Sequence, residues 1–169
     1  MRELVIVRHA IAEERDPRRW AQDSARPLSP RGKRRFRPAA RGLGRLIRVD
    51  VVLTSPCVRA VQTAELLRRT ADWPAAERLP ALRPGRPAAQ LLALLARRRE
   101  HCVAIVGHEP QLGELLALAV GGPGQAPLGL RKGGAASVRF RNRPAAGRGE
   151  LRWWAAPRLL RRLSRRGSE

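Results

Sequence analysis

A chain of 169 residues with a hydrophobic fraction of 43% fits one domain with a substantial core, and no apolar run approaches the roughly eighteen residues of a membrane span. The formal net charge is +21, from 35 Lys+Arg against 14 Asp+Glu, with lysine only at Lys33 and Lys132. That balance predicts attraction to something anionic, or reflects a coding bias toward arginine; aromatics at 4%, no tyrosine and no nucleic-acid motif argue against specific nucleic-acid recognition.

The pattern along the chain alternates short β-type runs with helical stretches, which predicts an α/β domain. Glu3 to Val7 reads as the first strand. "LSPRGKRRFRPAARGLGRLI" reads as a cap and helix, with Ser29 as N-cap and Pro30 in the first turn. Pro38 inside that stretch predicts a kink or a later helix start. "DVVLTSP" is a second strand, ending at Thr54 and Ser55. Val58 to Thr70 reads as a helix with Val61, Ala64, Leu66 and Leu67 apolar. "AERLPAL" holds a short strand, and Pro87 to Arg98 a helix with Leu91, Leu92, Leu94 and Leu95 on its buried face. "CVAIVGHEP" is the third clear strand and "PQLGELLALAV" the helix after it, started by Pro110. Beyond Gly121, Gly/Pro-rich connections surround two β candidates, "AASVRF" and "GELRWWA". The closing "PRLLRRLSRRGSE" reads as a short basic helix fraying into a solvated tail, in preference to a membrane-surface or acidic-partner helix.

Three strands end on groups suited to phosphate: Arg8-His9 on the first, Ser55 on the second with Arg59 a helical turn later, and Gly107-His108 on the third. Ligands of open parallel sheets bind at the carboxyl ends of the strands, so parallel neighbours would bring these groups together. A transferring phosphoryl group spreads negative charge over its equatorial oxygens. Arginine offers those oxygens a planar fork of donors. A neutral imidazole attacks phosphorus, and a second imidazole, if protonated, donates to a phosphoryl oxygen. The helix after Ser55 adds backbone N–H donors. Such a set calls for no metal and no cofactor.

Cys57 and Cys102 match no disulfide framework or metal spacing and read as small buried apolar residues. The first residues lack the order of a secretory signal, so a cytoplasmic protein is expected.

Taken together, "VRHA", "LTSPCVRAVQTAELL" and "AIVGHEP" resemble the histidine phosphatase (phosphoglycerate mutase-like) superfamily. The added "DSARPLSPRG", together with "LRKGGAASV" and "LRWWAAP", resembles its compact SixA-type phosphohistidine phosphatase branch. The resemblance implies a three-layer α/β/α sandwich with a mainly parallel sheet. It sets the domain at residues 1–157, with a basic tail at 158–169. It implies His9 as nucleophile, Arg8 and Arg59 as phosphate holders, and His108 as a donor to the transferring group. Ser55 is carried as a further phosphate contact, although Ser55 and Thr63 also read as cap or packing residues.

Two departures stand out. Ala10 follows the nucleophile where many members have glycine, and Ala81 stands where some supply a glutamate. Glu109 and Asp23 are left with minor roles, Asp23 either assisting at the pocket mouth or capping its loop. A site without a general acid suits a phosphoramidate, whose imidazole leaves more readily than an alkoxide. The function expected is hydrolysis of phosphohistidine on a protein with an acidic surface, through a phosphorylated His9. The alternatives are hydrolysis of small phosphate esters or other phosphorylated metabolites, and a non-catalytic polyanion-binding module. The presence of all four residues argues against the last.

Overall fold

The computed structural model describes residues 2–164. Six strands, β1 (Glu3–Arg8), β2 (Val51–Thr54), β3 (Ala76–Arg78), β4 (Cys102–Gly107), β5 (Ala135–Phe140) and β6 (Gly149–Ala155), form one sheet in the order β3-β2-β4-β1-β5-β6. The first four run parallel to one another, whereas β5 lies antiparallel to both β1 and β6. The sheet is thus mixed and mostly parallel.

Alternation within the central strands explains the layers. Leu4 and Ile6 of β1 and Val103 and Ile105 of β4 pack with α3 (Ala88–Leu95) and α4 (Gln111–Gly121). Val5, Val7, Ala104 and Val106 face the other way, against α1 (Pro30–Leu46), α2 (Val58–Ala71) and Leu160 of α5 (Pro157–Leu163). Both faces are covered, so these strands read as unbroken apolar runs. The α/β/α sandwich expected from the sequence is the fold observed.

Ser29 caps α1 as expected, its Oγ accepting from Gly32 N–H at 3.0 Å. The helix begins at Pro30 and continues through Pro38, so the later start is not what happens. Burial of Phe36, Ala39, Ala40 and Leu43 on both sides of Pro38 holds that stretch against the sheet despite one missing backbone donor. In α2 the buried stripe is Ala60, Thr63, Ala64 and Leu67; Val61 and Leu66 flank it half-buried. Helix α3 stops at Leu95, short of the expected Arg98, where the chain turns through charged residues. "AERLPAL" divides into β3 and a 3₁₀ turn at Pro80–Leu82.

The C-terminal basic segment is split by the structure. Residues 157–163 form α5, whose Leu160 is fully buried and whose backbone touches α1 so closely that a Cβ on Gly42 would lie 2.0 Å from the Leu160 carbonyl oxygen. The packed core therefore continues past residue 157. The rest of the tail expected at 158–169, residues 165–169, lies outside the described residues. Cys57 and Cys102 are free and buried, and burial beside Glu3 and Asp50 pushes the Cys102 thiol up to about 12. No helix among the described residues is long and apolar enough to cross a membrane.

Candidate active site

The expected convergence of strand ends is present. Strand β4 lies between β1 and β2, with Arg8 in register with Gly107 and Thr54 with Val106. Just past those ends, His9 N–H donates to the Gly107 carbonyl at 3.0 Å, and the His9 and His108 rings stand with centroids 5.0 Å apart.

His9 is only 6% exposed, and its Nδ1 lies 2.7 Å from the Ala10 carbonyl oxygen. A carbonyl only accepts, so Nδ1 carries the hydrogen and Nε2 keeps its lone pair. Burial lowers the His9 pKa to about 4, and the charges of Arg59, Arg8 and Lys132 push the same way, against the opposing bond to Ala10. His9 is therefore a neutral imidazole near pH 7, the form a nucleophile needs. The group that orients the ring is the Ala10 backbone carbonyl, which glycine would present equally.

His108 is also neutral. Burial, followed by the His9 and Arg59 charges, lowers it to about 3. Burial and the neighbouring arginines disfavour the protonated form in which a second imidazole donates from both nitrogens. His108 has one N–H to donate. Its Nε2 lies 2.9 Å from Ser55 Oγ, while Nδ1 is buried without a partner.

The two arginines are anchored from behind. Arg8 Nη1 donates to the Leu130 carbonyl at 2.7 Å. Arg59, 4% exposed, donates through Nη1 to the Asp23 carbonyl at 2.7 Å and pairs through Nη2 with Asp23 Oδ2 at 3.0 Å. Nε of each guanidinium is buried and unpartnered. Three unpartnered buried nitrogens, Arg8 Nε, Arg59 Nε and His108 Nδ1, thus belong to the residues that meet at these strand ends. Two arginines beside two neutral imidazoles offer donors and positive charge of the kind an oxyanion takes.

The remaining expected residues take supporting positions. Ser55 is fully buried, its Oγ accepting from Cys57 N–H at 3.3 Å and facing His108. That contact positions the His108 ring. Asp23 is paired with two arginines, Arg26 and Arg59. Burial alone would raise its carboxyl, but Arg26, bonded at 2.9 Å, and Arg59 hold it below the usual range, and it clamps Arg59 in return. Glu109 accepts from two backbone donors, Leu130 N–H at 2.8 Å and Gly113 N–H at 3.2 Å. Thr63, read as a packing residue, is a latch: its Oγ1 accepts from Ala10 N–H at 3.1 Å and donates to the Arg59 carbonyl at 2.7 Å.

Two contributors had no signal in the sequence. The Leu130 backbone anchors Arg8, and backbone groups have no residue-type signature. Gln111, 2% exposed, donates to the carbonyls of Ala81 and Arg86 and so ties the 81–86 loop to α4. Among the described residues, no group of three or more His, Cys, Asp or Glu side chains is placed to hold a metal ion.

Comparison with known proteins agrees with this geometry. The family model "Histidine phosphatase superfamily (branch 1)" matches residues 4–86. Phosphohistidine phosphatase SixA of Escherichia coli K12 is 34% identical over 143 residues, covering 81% of this chain and 85% of that protein. The chain belongs to the histidine phosphatase superfamily. An uncharacterized protein of the Picosynechococcus strain PCC 7002 is 36% identical over 142 residues, covering 81% of this chain and 84% of that one. Among solved structures, the protein histidine phosphatase SixA complexed with tungstate superposes with a TM-score of 0.80 at 31% identity, covering 94% of this chain and 99% of the other. Membership of the histidine phosphatase superfamily and the likeness to SixA support a phosphatase, a hydrolase of phosphoryl groups.

Proposed function

We propose that this histidine phosphatase removes the phosphoryl group from phosphohistidine on a protein, in two steps through a phosphorylated His9. In the first, the His9 Nε2 lone pair forms a bond to phosphorus as the substrate N–P bond breaks. The departing imidazole nitrogen takes a proton from water. In the second, water attacks the phosphorus, the His9–P bond breaks, and inorganic phosphate and neutral His9 are restored. Arg8, Arg59 and His108 hold the phosphoryl oxygens in both steps, where fixed donors stabilise the developing charge.

The observation that carries this reading is the state of His9: neutral, with Nδ1–H tied to Ala10 and Nε2 free, beside two guanidiniums with unmatched donors. The bound tungstate of the SixA structure is a tetrahedral oxyanion, consistent with an oxyanion at this site.

The choice of phosphohistidine over an ester rests on the carboxylates. Asp23 is engaged by Arg26 and Arg59, Glu109 by two backbone donors, and residue 81 is alanine. An alkoxide leaving group needs general-acid help worth about 10²–10⁴ in rate, which none of these supplies; imidazole leaves without it. A phosphohistidine-bearing protein of acidic surface is the partner, and the cytoplasm is the compartment.

The test is to incubate the protein with a labelled phosphohistidine protein, trap the phosphoenzyme and map the label. Label on His9, with turnover lost in His9→Ala, is expected. Label elsewhere, or undiminished turnover in His9→Ala, overturns the assignment. Faster release from small esters than from phosphohistidine reverses the order of substrates.

A further inference from the structure

A cavity of about 260 Å³ opens beside the nucleophile without including it. Phe36 forms part of an apolar floor, and Arg35, Arg131, Lys132, Arg158 and Arg161 surround it. Neither Asp nor Glu is found among the described residues that line it. These cations crowd one another: burial lowers the Arg161 pKa, and the Arg35 and Arg158 charges lower it further. An arrangement that costs the unliganded fold some repulsion is one that an anion relieves.

The cavity is wired to the reaction centre. Ala10, which orients His9, lines it. Gly133 N–H donates to both the Arg8 and His9 carbonyls at 3.1 Å, which places the 131–133 loop against the catalytic strand end. The Lys132 charge is felt at His9 itself. The opening is lined by single side chains from separate segments, a scale that suits one or two side chains of a partner. A carboxylate on a short apolar stem matches a cationic rim over an apolar floor.

We infer that this cavity is a docking subsite for acidic side chains of the segment that flanks the phosphorylated histidine in the substrate protein. The inference rests on the protein-phosphohistidine reading above and gives that reading a location for substrate choice. Electrostatic complementarity of this kind selects partners and speeds encounter.

The experiment uses the full chain and the double variant Arg35→Glu/Arg158→Glu, both residues being exposed. Three readouts are compared: hydrolysis of p-nitrophenyl phosphate, hydrolysis of phosphohistidine peptides with Glu/Asp or Ala flanks, and titration of the unphosphorylated acidic peptide. The wild type is expected to favour acidic flanks at least tenfold in kcat/KM, with the preference shrinking as salt rises. In the variant the preference disappears, while p-nitrophenyl phosphate turns over as before. Equal rates for the two flanks in wild type, or one common loss on every substrate in the variant, overturns the subsite. Should wild type leave all phosphohistidine peptides intact, the substrate reading fails. The peptide titration then judges the cavity separately: binding weakened in the variant upholds an acidic-peptide site, and unchanged binding rejects it.

Discussion

Arg8 and Glu109 are joined through one residue, Leu130, whose carbonyl accepts from Arg8 Nη1 at 2.7 Å and whose N–H donates to Glu109 Oε1 at 2.8 Å. Glu109 also offsets electrostatically the burial that lowers the Arg8 pKa. The carboxylate beside His108 therefore serves the arginine beside His9. Glu109→Ala should lower kcat/KM about tenfold on all substrates alike, because a loosened Arg8 costs roughly the net worth of one charge-assisted bond. Comparing aryl phosphate, alkyl phosphate and phosphohistidine checks this. A loss concentrated on the alkyl ester would instead make Glu109 a general acid.

The two neutral histidines predict a pH dependence. Their folded pKa values of about 4 and about 3 lie below the unfolded value near 6.5. The unfolded chain therefore binds more protons than the folded one as pH falls below about 6.5, and stability falls with it. Full stability from these groups is present above pH 6.5 and is lost as pH drops through 4 and 3, on the order of several kcal/mol together. Denaturant midpoints between pH 7.5 and 4.5 check the sign. The acid limb of kcat/KM, corrected for substrate ionisation, should lie near 4 and not near 6.5, because it reports the free enzyme.

Thr63 couples the catalytic strand end to the helix that carries Arg59. Thr63→Val keeps the shape but strands the buried Ala10 N–H, at a cost of about 1–3 kcal/mol. Thr63→Ser should recover most of it. Equilibrium unfolding measures the stability, and a parallel fall in kcat/KM for Thr63→Val, restored by serine, separates a positioning role from simple packing.

Gly42 sets the separation of α1 and α5. Gly42→Ala places a Cβ 2.0 Å from the Leu160 carbonyl oxygen, a backbone atom that yields only if α5 moves. Destabilisation of about 1–3 kcal/mol or more is expected. Deleting residues 157–169 should also destabilise the domain, because it exposes the apolar surface that Leu160 covers. An unchanged thermal midpoint in both would return α5 to the status of a tail.

Much of this molecule was legible in its residues because the signals are local. Apolar runs such as Leu4–Val7 announce strands buried on both faces, and Ser29-Pro30 announces a helix start. Motif order was enough to pick out His9, Arg8, Arg59 and His108 as candidates, and the fold brings the two histidine rings together at neighbouring strand ends. What the residues left open is also physical. Ser55 and Asp23 have chemistry suited to phosphate, and only the fold gives each a neighbouring site residue to hold. The C-terminal segment, basic in composition, buries one of its leucines fully.

The sequence by itself determined which residue types stand at the ends of the strands, because strand periods and capping depend on near neighbours. Only the tertiary structure decided their partners and charge states. Arg8 finds its anchor 122 residues away, Arg59 finds Asp23 at 36, and His108 finds Ser55 at 53. Those pairings follow from strand order, and the neutrality of both histidines follows from burial among arginines. Neither strand order nor desolvation is encoded in any short stretch of chain; both arise when distant segments pack and exclude water.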